Sequence, residues 1–204
     1  MDDDFLKPKG QYRNLICYQK AEAIYDLTFR FKERFLQYND RTIDQMVQAA
    51  RSGKQNIIEG REAATTSRET EIKLFNVSKA SLHELLGDFE DYLRTRHLEL
   101  WGPGHPRFKA LVETCRAHND TDYYCAIEPK LNAEEFCNLA ITLIHQTDCM
   151  LRKLGRYFKE DFLKEGGIRE QMSRARYAAR SHNSPNSLNS PNSPNSHNSK
   201  NSKL

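Results

Sequence analysis

Long apolar runs are missing from this 204-residue chain. None approaches the roughly 20 residues that an α-helix needs to cross a bilayer, so no membrane-spanning segment is expected. The start, Met1-Asp2-Asp3-Asp4-Phe5, lacks the basic residues and apolar stretch of a secretory leader, and the expected location is the cytoplasm. Cysteine is sparse and odd in number, at positions 17, 115, 125, 137 and 149. So scattered, the five read as free thiols rather than a disulfide framework. An excess of one charge is lacking too. With 31 basic and 28 acidic side chains the net charge is +3, too small for a whole-molecule field that draws nucleic acid.

Catalytic signatures are equally scarce. There is no glycine-rich loop to cradle phosphate and no paired-carboxylate motif. Ser52 and Ser81 have no histidine at a helical neighbour position; His83 follows Ser81 by two and falls on another face. Cys115 and His118 form a tight pair with His97, His105 and Cys125 nearby, but structural zinc normally takes two close ligand pairs. Cys137 and Cys149 fall within a helical pattern and read as small apolar residues. The expectation is a non-enzymatic protein with no metal site and no cofactor.

What the chain has is helical periodicity, with no alternating strand. A first helix from about Tyr12 to Tyr38 carries two neighbouring stripes: Cys17, Ala21, Ile24, Thr28, Phe31 and Phe35, then Leu15, Tyr18, Tyr25, Phe29 and Leu36. A second begins at a candidate capping box, Thr42 with Gln45, and ends at Gly60 as a left-handed cap. A third opens at another candidate box, Thr66 with Glu69. Its seam of Ile72, Phe75, Lys79, Leu82, Leu86, Phe89 and Leu93 alternates steps of three and four. The segment Trp101-Gly-Pro-Gly-His-Pro106 breaks the pattern, a short helix follows it, and Asp120 to Pro129 reads as loop. A fourth long helix starts near Asn132 with Glu135 three residues on. It shows Phe136, Leu139, Leu143, Met150, Leu154 and Phe158 as one stripe and Ile141, Ile144 and Leu151 as a second. Gly166-Gly167 breaks it. Helices striped on two sides are covered on more than one side, as in a bundle or an oligomer, and predict self-association.

The second helix is marked by tiny residues. Ala49, Ala50, Ser52, Gly53 and Asn56 leave little bulk, so a neighbouring helix can approach closely; Gly60 completes the set. A helical glycine costs roughly 1 kcal/mol against alanine, and a crossing that needs its missing side chain would explain Gly53. Asn56 is expected to bond a neighbouring helix backbone, and Glu59 to meet a basic partner such as Arg61.

Basic residues are the functional candidates. Arg51, Lys54 and Arg61 lie near one side of the second helix, since offsets of three and seven return there. Arg152, Lys153, Arg156 and Lys159 crowd the end of the fourth, and Arg174, Arg176 and Arg180 extend the charge. Two readings stay open: a solvated surface whose cations also suit a helix C-terminus, or a phosphate-contacting patch for RNA or DNA.

These patterns make an all-α chain. A flexible start (1–11) precedes a four-helix body (12–180) with an insert (95–131) and a basic suffix (160–180). A tail (181–204) of Asn-Ser-X triplets is too polar to offset its ordering entropy and is expected to be disordered.

Several short motifs recur in order on successive helices: Leu15 with Tyr18-Gln-Lys-Ala21, Tyr25-x-x-Thr28-x-x-Phe31, Gln45-x-x-Gln-Ala-Ala-x-Ser52, Asn56-Ile-x-Glu-Gly60 and Ala80-Ser81-x-x-Glu84-Leu85. The sequence resembles the four-helix-bundle proteins encoded in intervening sequences of bacterial large-subunit ribosomal RNA genes. It is also similar to their relative, the accessory variability protein of diversity-generating retroelements. The likeness is greatest to members with a carboxy-terminal suffix, here from Phe162-Leu-Lys-Glu-Gly-Gly-Ile-Arg-Glu170 onward. The resemblance implies an antiparallel up-and-down bundle, a homopentamer, and no catalytic residues. For the retroelement relative it further implies binding of a reverse transcriptase and nucleic acid through basic surface. A different expectation is a ring-shaped scaffold or adaptor that holds a protein partner without nucleic acid.

Overall fold

The computed structural model describes residues 11–37, 40 and 42–182. The expected flexible start, apart from Gln11, and the Asn-Ser-X tail from Asn183 lie outside them. All regular structure among the described residues is helical. A 3-10 turn, Tyr12–Asn14, leads into α1 (Ile16–Phe35), followed by α2 (Thr42–Ala63), α3 (Arg68–Thr95), α4 (Phe108–Ala117), α5 (Thr121–Ile127), α6 (Ala133–Glu165) and α7 (Ile168–His182). The chain divides into two compact units, 1–168 and 169–204. The boundary falls inside the basic suffix.

In the first unit α2 packs on α1 and α3, and α6 packs on α1 and α3. Contacts fix the directions. Ser52 meets Ser81, Gly53 meets Ser78, and Arg61 meets Glu71, so α3 runs back along α2. Arg68 meets Asp161, Phe75 meets Phe158, and His83 meets Asp148, so α6 runs back along α3.

The centre is aromatic at one end. Phe31 packs against Phe35, Phe89, Tyr92 and Phe136 at ring-centroid distances of 4.8–5.4 Å. Edge and tilted geometries favour such rings beyond the area they bury.

The insert is tied down by side chains of α6. Trp101 N–H donates to Asn138 Oδ1 at 2.7 Å and its indole Nε1 to Glu134 Oε1 at 3.0 Å. Below it, Lys20 of α1 is completely buried and donates its ammonium to the carbonyls of Cys115 and His118, where α4 ends. Burial lowers the Lys20 pKa and pushes the Cys115 thiol up to about 12.

Caps and boundaries differ from the sequence reading in instructive ways. The Asn132–Glu135 capping box is present in both directions. At α2 it is Asp40 Oδ1 that accepts the Thr42 N–H, at 2.9 Å, and at α3 Ser67 caps Thr70 rather than Thr66 capping Glu69. Gly60 is no cap: α2 continues through it to Ala63, and among the described residues Gly166 is the glycine with positive φ. Asp120 to Pro129 holds α5 and a 3-10 turn rather than loop, with Asp120 capping Tyr123 N–H.

The tiny residues of α2 do serve a close approach. A Cβ on Gly53 would lie 2.8 Å from Leu82 Cδ2, and one on Gly60 2.9 Å from Phe75 Cε1. Ala49 and Ala50 are buried beside them. Ser78 donates to the Gly53 carbonyl at 2.7 Å, and the Ser52 and Ser81 hydroxyls share a hydrogen bond. Asn56 turns inward on its own helix, donating to Ser52 O and Ser52 Oγ, so the expected inter-helix bond is absent; Glu59 is exposed.

The second stripes of α1 and α6 are covered to different extents within the single chain. On α6 the second stripe, Ile141, Ile144 and Leu151, is buried within the single chain. On α1 the second stripe is partly covered: Tyr18 is buried, Leu15, Tyr25 and Leu36 are partly buried, and Phe29 is 40% exposed.

Candidate nucleic-acid interface

The basic candidates fall into separate environments. Arg61 is turned inward. Its side chain, 9% exposed, meets Glu71 Oε1 at 2.5 Å, while Arg68 takes Glu71 Oε2 and Asp161. The Arg61 and Arg68 guanidinium groups also lie over the Phe158 ring. A charge so paired and desolvated is structural: releasing it toward a phosphate would strip the buried Glu71 carboxylate of a partner.

Lys54 is half-buried, its ammonium 4.3 Å from the centre of the Tyr25 ring. It also faces Asp26, whose pKa burial raises and Lys54 partly restores. Arg51 is exposed. Beside this helix face lies a groove of about 990 Å³ between α2 and α3, lined by Asp44, Ser52, Ser81, Glu84 and Asp88 with no lysine or arginine. Burial, with Asp91 and Glu84 nearby, raises the Asp88 pKa. That groove repels phosphate, so α2 makes a poor nucleic-acid surface.

α6 is different. Its 33 residues span about 50 Å at 1.5 Å per residue, and beyond Leu151 Phe158 is the buried residue of its last stretch. Leu154, Gly155 and Asp161 are half-buried there, and the other positions from 152 to 164 are exposed. Arg152, Lys153, Arg156 and Lys159 are all exposed. Steps of four and three bring Arg152, Arg156 and Lys159 onto one face, in line with Cys149 and His145 one and two turns earlier. Among the described residues' ion pairs, Arg152 meets Asp148 and none involves Lys153, Arg156 or Lys159. Arg174, Arg176 and Arg180 are exposed on α7, in the second unit.

One neighbouring group escaped the sequence reading. His83 on α3 brings Nε2 to 3.3 Å from Oδ1 of the buried Asp148, whose other oxygen holds Arg152 at 2.5 Å. No signal within either helix pairs residues 83 and 148; only the packing of α3 on α6 does.

Two of the thiols and two of the histidines are engaged in packing. Cys115 and Cys137 are buried, His118 stacks on Tyr123 at 3.5 Å and His105 on Trp101 at 4.4 Å. Among the described residues no three His, Cys, Asp or Glu side chains gather as metal ligands would, and no helix is long and apolar enough to cross a membrane. The hydrogen bonds of Ser52 run to Ser81 and Asn56. No family model, curated protein or solved structure matches the chain.

Proposed function

We propose that this chain is a non-enzymatic accessory protein that binds nucleic acid through the exposed basic face of α6. In this reading the four long helices α1, α2, α3 and α6 form an antiparallel up-and-down bundle, which the contacts of α2 and α6 with both their neighbours support. The observation that carries the binding role is the stripe of Arg152, Arg156 and Lys159, flanked by Lys153, standing in water on the far part of α6. Arginine and lysine on one face meet successive phosphates and release condensed counterions.

The bundle also assembles with copies of itself. The half-covered flank of α1 around Phe29 supports this, as does the motif resemblance to the ribosomal RNA intervening-sequence and retroelement accessory proteins. That resemblance favours five copies in a ring, with a reverse transcriptase or its nucleic acid as partner. A ring repeats the stripe around its axis, so a chain of net charge +3 gains a strong local field.

Binding of a labelled single strand at several salt concentrations tests the reading. The wild-type chain is expected to bind more weakly as salt rises. Changing Arg152, Arg156 and Lys159 together to alanine should cut affinity at least about tenfold and shrink the logarithmic salt slope by about 2. A wild-type chain that ignores heparin and nucleic acid at low salt sinks it and leaves the protein-adaptor role standing. Light scattering tests assembly separately: a monomer at micromolar concentration refutes it.

A further inference from the structure

Two exposed donors from different helices converge on one buried carboxylate. Asp148 of α6 has a side chain 3% exposed. Its Oδ2 accepts from Arg152 Nη2 at 2.5 Å, and its Oδ1 lies 3.3 Å from His83 Nε2. The side chains of Arg152 and His83 are 60% and 55% exposed. The approach of His83 falls short of a hydrogen bond, for Oδ1 is buried without a hydrogen-bond partner. A buried carboxylate oxygen in that position calls for a positively charged donor.

The chemistry of the ring follows. With the imidazole neutral, the carboxylate fixes the single proton on Nε2, and Nδ1 keeps a lone pair. That lone pair repels a phosphate oxygen. Adding a proton turns Nδ1 into a second donor, while the cationic ring draws Nε2–H onto Oδ1. Arg152 spends one N–H on Asp148 and keeps the rest of its fork. Asp148 and Arg152 cancel in charge, so the imidazolium leaves one net positive charge for an anion to meet.

We infer that His83 and Arg152, held over the buried Asp148, form a phosphate site in the seam between α3 and α6 that takes its ligand together with a proton. The inference rests on the nucleic-acid reading for its natural ligand, a backbone phosphodiester, and puts this site at the near end of the basic stripe.

The surroundings leave His83 in control. On α3, Lys79 stands one turn before it, half-buried, and Glu84 follows it, exposed. On α6 the facing groups are Asp148 and Arg152, with His145 and Cys149 exposed along the same helix. α2 contributes the Asp44 carboxylate, which lies in the acidic groove with Glu84 and Asp88. The exposed imidazoles here are those of His83 and His145. His145 therefore serves as the control.

The full chain is titrated by NMR with and without inorganic phosphate, and its binding to RNA and DNA single strands of one sequence is measured from about pH 6 to about pH 8. Phosphate is expected to raise the apparent pKa of His83. Affinity for both strands is expected to rise on acidification, by at most about tenfold per pH unit for one linked proton. His83→Gln should lose the acid gain; Asp148→Asn should shrink it; His145→Gln should leave it intact. An acid gain surviving His83→Gln, or a His83 titration indifferent to phosphate, overturns the site. A His83 that responds to phosphate in a chain binding neither strand overturns the nucleic-acid reading and keeps the site. A strong preference for RNA over DNA shows recognition beyond the phosphate and overturns the assignment of the ligand.

Discussion

α3 is gripped on its two sides in opposite ways. Against α2 the contact is close and nearly without side chains: Gly53 admits Leu82, Gly60 admits Phe75, and Ser78 bonds a backbone carbonyl. Against α6 the contact is made of large groups and charge: Phe75 on Phe158, Arg68 on Asp161, His83 on Asp148. The close side depends on what is absent, so it fails when atoms are added. The wide side depends on mutual compensation, so it fails when one partner of a pair is taken away.

The sharpest break is at Glu71, where both sides meet. Its carboxylate is completely buried and takes Arg61 from α2 and Arg68 from its own helix. Glu71→Ala leaves two buried guanidinium groups facing each other and should cost about 3–5 kcal/mol in chemical denaturation. Replacing Arg61, Arg68 and Glu71 together by apolar residues of similar volume should cost far less, since the desolvation of all three charges is removed at once. Equal losses in the two variants would show that shape rather than charge holds this corner.

Alkali acts first on thiols, none of which lies on α3, and so serves as a reference. Cys17 on α1 and Cys115 on α4 are buried, and burial pushes their thiols up to about 11 and about 12 from an ordinary 9.0. Because the folded values are raised, the stability from neutral thiols is complete below about pH 9. It is lost as pH climbs toward the folded values, on the order of 3 kcal/mol for Cys17 and 4 kcal/mol for Cys115. Hydrogen exchange at about pH 10 should therefore quicken first in α1 and α4. First opening in α3 would assign the weak point to its seams instead.

At the close seam the effect is smaller and opposite in kind. Gly53→Ala and Gly60→Ala each gain helix propensity but push a methyl into Leu82 or Phe75, at 2.8 and 2.9 Å. Overpacking of this sort costs about 1–3 kcal/mol, more than the roughly 1 kcal/mol that propensity returns. Unchanged or raised melting temperatures would refute the close-approach account.

The two seams were also unequally legible in the sequence. Small residues at helical spacing announced the close one, because its determinants, Ala49, Ala50, Gly53 and Gly60, sit within a single helix. Gly60 was misread as a terminus, since a glycine that ends a helix and one that admits a neighbour look alike until Phe75 is placed against it. The wide seam was illegible where it matters. Arg61 looked like surface charge because Glu71 lies beyond a turn, and Asp148 lies 65 positions from His83 along the chain. α5 went unread because seven residues with Tyr124 alone buried give periodicity nothing to count. By contrast, the α6 cap was legible because both its partners, Asn132 and Glu135, are three residues apart.

The smallest expected effect isolates the rule. Gly87 in α3 and Gly155 in α6 are interior helical glycines as well, yet a Cβ built on either meets nothing within 4 Å. Without a neighbour to displace, only the backbone entropy of the unfolded chain and the exposure of helix backbone are at stake. Gly87→Ala and Gly155→Ala should each stabilise by about 0.5–1 kcal/mol, read as a shift in denaturation midpoint at unchanged slope. The sign should therefore reverse between two glycines of the same helix environment, 53 and 87, one pressed against Leu82 and one facing open space. Stabilisation at all four positions would mean that α2 and α3 yield easily to an added methyl, and that the tiny residues do not set their spacing.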